Sequence, residues 1–128
     1  MTRLEFEKLV REAIALMPRQ IQESMDNVGF VIEQEPRRKK AKEIGIRIDE
    51  TLLGLYEGIP RIERGSGYFG VLPDKITIFQ EPIESLHRSE KAIVYQIRNT
   101  IIHEIAHHFG IDDDRLHEIE SENRKKPR

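Results

Sequence analysis

The chain of 128 residues contains no cysteine. That excludes a disulfide scaffold and any thiolate-held metal, so a bound ion would have to be gripped by imidazole and carboxylate. A dominant charge is missing too: 21 Lys and Arg stand against 23 Asp and Glu, a net −2 that gives no global attraction to nucleic acid or to an anionic membrane. No stretch approaches the 18 or so consecutive apolar residues needed to cross a bilayer. From Thr2 to Val10, acids and bases alternate within an amphipathic pattern instead of running basic, then apolar, then small. No export leader is therefore expected, and the chain reads as cytoplasmic. No internal repeat or low-complexity segment divides it, and its length suits one core, so a single domain over residues 1–128 is expected.

What is present reads as alternating helix and strand. Leu4, Phe6, Leu9, Val10, Ala13, Ile14 and Met17 follow helical spacing from a cap at Thr2 to a stop at Pro18. Pro18 then opens a short helical turn through Ile21 and Met25 that closes at Asn27. The β-branched, apolar run Val28 to Glu33 predicts a strand inside a sheet. Leu52 to Ile59 is a short strand bounded by turns, because its glycines break both the helical and the strand period. Lys75 to Phe79, entered through Pro73 and Asp74, alternates as a half-buried strand does. Glu81 and Pro82 start a short helix or turn carrying Ile83 and Leu86, and Ser89 caps a long helix that ends at Gly110.

Two stretches invite functional readings that their surroundings do not support. Gly65 to Gly70 matches G-x-G-x-x-G by letter, but Val71-Leu72-Pro73 follows it where a nucleotide fingerprint needs a helix N-terminus. It reads as an aromatic-bearing loop on the rim of a cleft. Arg37 to Lys40, together with Arg124, Lys125, Lys126 and Arg128, reads as a solvated loop and tail.

The long helix carries the chemistry. His103-Glu104-Ile105-Ala106-His107 places two histidines four residues apart, on one helix face, where both imidazoles can reach a single ion. Glu104 lies about 100° round from His103 and about 60° from His107. There its carboxylate can approach a water on the ion without ligating, as a general base must. Gln96, Asn99 and Thr100 fall on the histidine side, and Val94, Ile97, Ile101, Ile105 and Phe109 on the other, so the helix has a polar stripe and a buried one. A catalytic zinc wants a third protein ligand and an open position. Gly110 can take φ > 0 and turn the chain back, bringing up Asp112, Asp113 and Asp114. We take Asp113 as the third ligand, Asp112 as a helix cap and Asp114 as a solvated charge. His117, four residues beyond Asp113, competes as the ligand or orients Asp113. His108 reads as structural, His87 as a surface residue with no partner at metal spacing, and Tyr56 either as a donor to an oxyanion or substrate or as a half-buried sheet tyrosine.

The stretch from His103 to Asp113 resembles the extended zincin motif H-E-x-x-H-x-x-G-x-x-D/H, with Asp113 in the closing place. Together with Leu-Leu-Gly-Leu-Tyr-Glu-Gly at 52–58 and Pro-Asp-Lys-Ile-Thr-Ile-Phe at 73–79, it resembles the small bacterial zincin-like metallopeptidases, sometimes called minimal zincins. The resemblance implies an α+β fold in which a small mixed sheet packs against an N-terminal helix and the long active helix. It also implies one zinc ion bound within Asn99 to Asp113 and a peptidase activity on a peptide or protein substrate. Three features of larger zincins are missing: a Met-turn, since no methionine follows the motif; a large C-terminal half; and room for a separate glutamate-bearing helix. Substrate selection then falls to the sheet edge, the Gly-rich loop, or a protein partner or second copy of the chain. The rival reading is a non-proteolytic metal protein, either a metal-dependent RNA hydrolase or a zinc-stabilised interaction module with all four metal positions filled.

Overall fold

A computed structural model describes residues 1–36, 52–58 and 74–125. Helix α1 (Arg3–Ala15) starts at Thr2, whose side chain accepts from the Glu5 N–H while Glu5 reaches back, a reciprocal capping box. It buries Phe6, Leu9, Val10 and Ala13. Leu4 does not join them: it is 76% exposed, because two residues along a helix turn the side chain about 200° from Phe6. After Pro18, α2 (Arg19–Ser24) ends at a turn in which Asn27 takes φ 61°. Asparagine is among the few residues that tolerate that conformation.

Strands β1 (Val28–Glu33), β2 (Gly54–Glu57) and β3 (Asp74–Phe79) form a mixed sheet in the order β1-β3-β2, with β1 parallel and β2 antiparallel to β3. The strand expected inside the sheet, β1, therefore has one neighbour among the described residues, and β3 takes the centre. β3 is not half-buried either. Ile76, Ile78 and also Thr77 and Phe79 are sealed from solvent, as a strand covered on both faces must be. The Arg37–Lys40 run, the Gly65–Gly70 loop and the last residues of the basic tail lie outside the described residues.

From β3 the chain passes directly into α3 (Gln80–Leu86), which buries Ile83 but leaves Leu86 exposed. The long helix α4 (Glu90–His108) follows, and its N-cap Ser89 accepts from the Ala92 N–H at 3.1 Å. Ser89→Ala should destabilise the protein by about 1 kcal/mol, read from urea unfolding, because the hydroxyl is the side-chain acceptor at that terminus. Ile93, Val94, Ile97, Ile101, Ile102 and Ile105 of α4 form the core with α1 and the inner face of the sheet. α5 (Asp113–Lys125) adds Leu116 and Ile119. Arg98 ties three helices together: it donates to the Leu16 carbonyl at the end of α1 and pairs with Glu120 of α5 at 3.2 Å. Among the described residues no helix is long and apolar enough to cross a membrane.

Candidate active site

The site is built where α4 ends. Phe109 is the C-cap and Gly110, at φ 70°, turns the chain. The Ile111 N–H bonds back to the Ala106 carbonyl at 2.8 Å and the Gly110 N–H to the His107 carbonyl at 3.3 Å, the paired bonds of a Schellman motif. Ile111 packs against the core in the motif's usual hydrophobic contact. Asp112 then caps α5 at once, its Oδ1 accepting from the Arg115 N–H at 2.8 Å. Phe109, assigned from its spacing to the buried stripe, is instead 50% exposed. The stripe stops at Ile105 because the chain leaves helical geometry at Phe109, and Ile111 fills the inward place.

His103 and His107 both project from α4 into solvent, their ring centroids 6.4 Å apart. Two imidazoles on one tetrahedral zinc, with Zn–N near 2.0–2.1 Å, bring their centroids to roughly 5 Å. Closing that difference takes side-chain rotation alone, which exposed rings are free to make. The α4–α5 corner puts His103, Asp113 and His117 on the wall of one concavity with Asn99, Leu116 and Glu120. Among the described residues no three His, Asp or Glu side chains already stand in a ligating arrangement. In donor type the set suits a divalent ion such as zinc, with imidazole and carboxylate groups, all exposed, on two helices joined by one corner, but His107 is not among the residues that line the concavity. Glu120 joins the concavity because α5 is a 13-residue helix, which leaves room for a glutamate-bearing helix after all, but its carboxylate is held by Arg98.

Glu104 faces elsewhere, as its angle on the helix requires. Its Oε1 accepts from the backbone N–H of Tyr56 on β2 at 2.9 Å. Thr100, one turn back, is buried under the same strand and not displayed with the polar stripe. β2 can come this close because residue 54 is glycine. A Cβ there would stand 2.6 Å from Thr100 Cγ2 and 3.3 Å from the Thr77 carbonyl oxygen. The Tyr56 hydroxyl donates to Asp74 Oδ2 at 2.7 Å, and its ring stacks on His108 with centroids 3.9 Å apart. His87, expected at the surface, is half-buried with Nε2 2.9 Å from Gln96 Oε1, and Gln96 in turn donates to Thr100.

The placement of the α4 residues on the helix follows from spacing, whereas their partners on the sheet do not. That His108 and Glu104 share a face was legible from their four-residue spacing. That Tyr56 and Asp74 meet them was not, because it depends on the register of β2 against β3.

A family model described as zincin-like metallopeptidase matches residues 25–123, well over half of the chain. A comparison with curated proteins finds no match. The matched span contains β1, β2 and β3, the whole of α4 and the corner into α5, so the sheet, the helix and the histidine pair all fall within it. On this match and this architecture, the chain belongs to the zincin-like metallopeptidase family, with an α+β zincin-like fold.

Proposed function

We propose that the protein hydrolyses peptide bonds with one zinc ion, using His103, His107 and Asp113 as ligands and Glu104 as general base. The observation that carries the reading is the division of labour on α4: two exposed imidazoles one turn apart, with the carboxylate between them turned to the sheet edge and held at 2.9 Å by a backbone amide. Zinc, when bound, supplies Lewis acidity, lowering the pKa of a bound water to ~7 and polarising the scissile carbonyl. Glu104 takes a proton from the attacking water and returns it to the leaving amine. Tyr56 hands its amide to Glu104 and its hydroxyl to Asp74; a role for that hydroxyl at an oxyanion would require it to turn away from Asp74. We place the protein in the cytoplasm.

The test is metal analysis of protein purified without chelator, followed by a mixed-peptide screen in which Glu104→Gln serves as the blank. Near-stoichiometric zinc, and cleavage by the parent far above the residual rate of Glu104→Gln, are expected. Zinc-loaded protein that leaves every peptide intact would end the peptidase reading. One observation favours a second reading: His117 lines the same concavity as His103 and Asp113. Should His103, His107, Asp113 and His117 all ligate, the fourth position is filled and zinc becomes structural, in an interaction module. Counting the ligands by X-ray absorption separates the two. An RNA arm in the cleavage screen covers the hydrolase variant of this rival.

A further inference from the structure

We propose that Asp74 and His108 are positioning residues for Glu104, acting through Tyr56; the inference rests on the reading of Glu104 as the base. In the antiparallel pair, the Phe79 N–H bonds to the Leu53 carbonyl, so by alternation residues 53, 55 and 57 pair with β3. The backbone of Tyr56 then points away from the sheet. An outward N–H on an edge strand is open to water or to another strand, and here Glu104 takes it.

Contacts of its ring and of its hydroxyl hold Tyr56 in that place. Its ring lies on His108, which is one helical turn beyond Glu104 and on the same face. Its hydroxyl donates to Asp74, and Asp74 Oδ2 is also 3.8 Å from His108 Nε2. Gly58 leaves room for the cluster: a Cβ there would stand 3.2 Å from His108 Cε1. Strand, tyrosine ring and helix end are thus clamped together on one side of the amide that orients the base. Among the described residues no side chain of the clamp contacts the His103 or His107 ring, so the clamp bears on the aim of the carboxylate more directly than on the two histidines. A misplacement of about 1 Å at a reacting group can lower rate about 100-fold, which is the scale on which loosening this clamp should act.

The experiment compares the parent with Asp74→Ala and Asp74→Asn, whose amide oxygen can still accept from the tyrosine. Asp74→Ala should lower kcat by about 10- to 100-fold, with KM and zinc content near the parent's, and Asp74→Asn should recover most of the loss. In a Glu104→Gln background, Asp74→Ala should remove nothing further, since residues that act as a unit are not additive. Independently of activity, the Tyr56 amide should exchange with solvent about tenfold faster in Asp74→Ala while core amides keep their protection. Should Asp74→Ala fail to fold, His108→Ala takes its place with the same expectations. An unchanged kcat and Tyr56 exchange rate, or a full further loss in the Glu104→Gln background, overturns the proposal. A Glu104→Gln protein as active as the parent overturns it in a different way, because the fault then lies with the base assignment and shows in that single variant.

Discussion

Glu104→Gln is expected to lower kcat by about 10²- to 10⁴-fold while zinc content and melting temperature stay close to the parent's. The substitution isolates chemistry from position. A glutamine side-chain oxygen can accept the Tyr56 N–H that Glu104 accepts at 2.9 Å, so β2 stays on α4. What is lost is the anionic acceptor that takes a proton from water. Glu104→Ala would confuse the two, since it also leaves that edge amide without its partner. Steady-state kinetics on a peptide recovered from the screen, with metal content measured on the same preparation, decides the matter. Loss of zinc along with activity would mean that residue 104 supports the ligands instead.

Gly54→Ala should destabilise the protein toward the upper end of the roughly 1–3 kcal/mol typical of overpacking, and should reduce activity as well. The added methyl meets Thr100 Cγ2 at 2.6 Å, and the Thr77 carbonyl at 3.3 Å blocks retreat in the other direction. Thr100 cannot swing away freely: it is buried, β-branched on a helix, and its hydroxyl accepts from Gln96. β2 must therefore lift from α4, which draws the Tyr56 amide off Glu104. Thr100→Ser removes the clashing Cγ2, so the Gly54→Ala/Thr100→Ser protein should regain much of the stability lost by Gly54→Ala. Urea unfolding of the two singles and the double measures this directly. A double variant no better than the sum of the singles would show that the contact is not what fixes the strand.

Both expectations concern one feature, the seating of an edge strand on the polar shoulder of the active helix. His103 and Asp113 line the concavity at the corner with α5, whereas Glu104 is held by the sheet. The core isoleucines of α4 lock the helix to the sheet, so both groups of side chains are attached to one shared body.

The helices and their ends were written in local chemistry. Thr2, Pro18, Ser89, Gly110 and Asp112 each act within a few residues of themselves, so the capping box, the Schellman turn and the cap of α5 follow from the order of side chains alone. The pairing of His103 with His107, and the offset of Glu104 from both, follow from the helical repeat in the same way. The tertiary structure decided everything that depends on pairing across the chain. It put β3 at the centre, buried Thr77 and Thr100 in spite of their hydroxyls, turned Phe109 outward, and brought Asp74 and Tyr56 to His108. Strand order and register are set by which faces find partners far away in sequence, and periodicity reports only that a face exists.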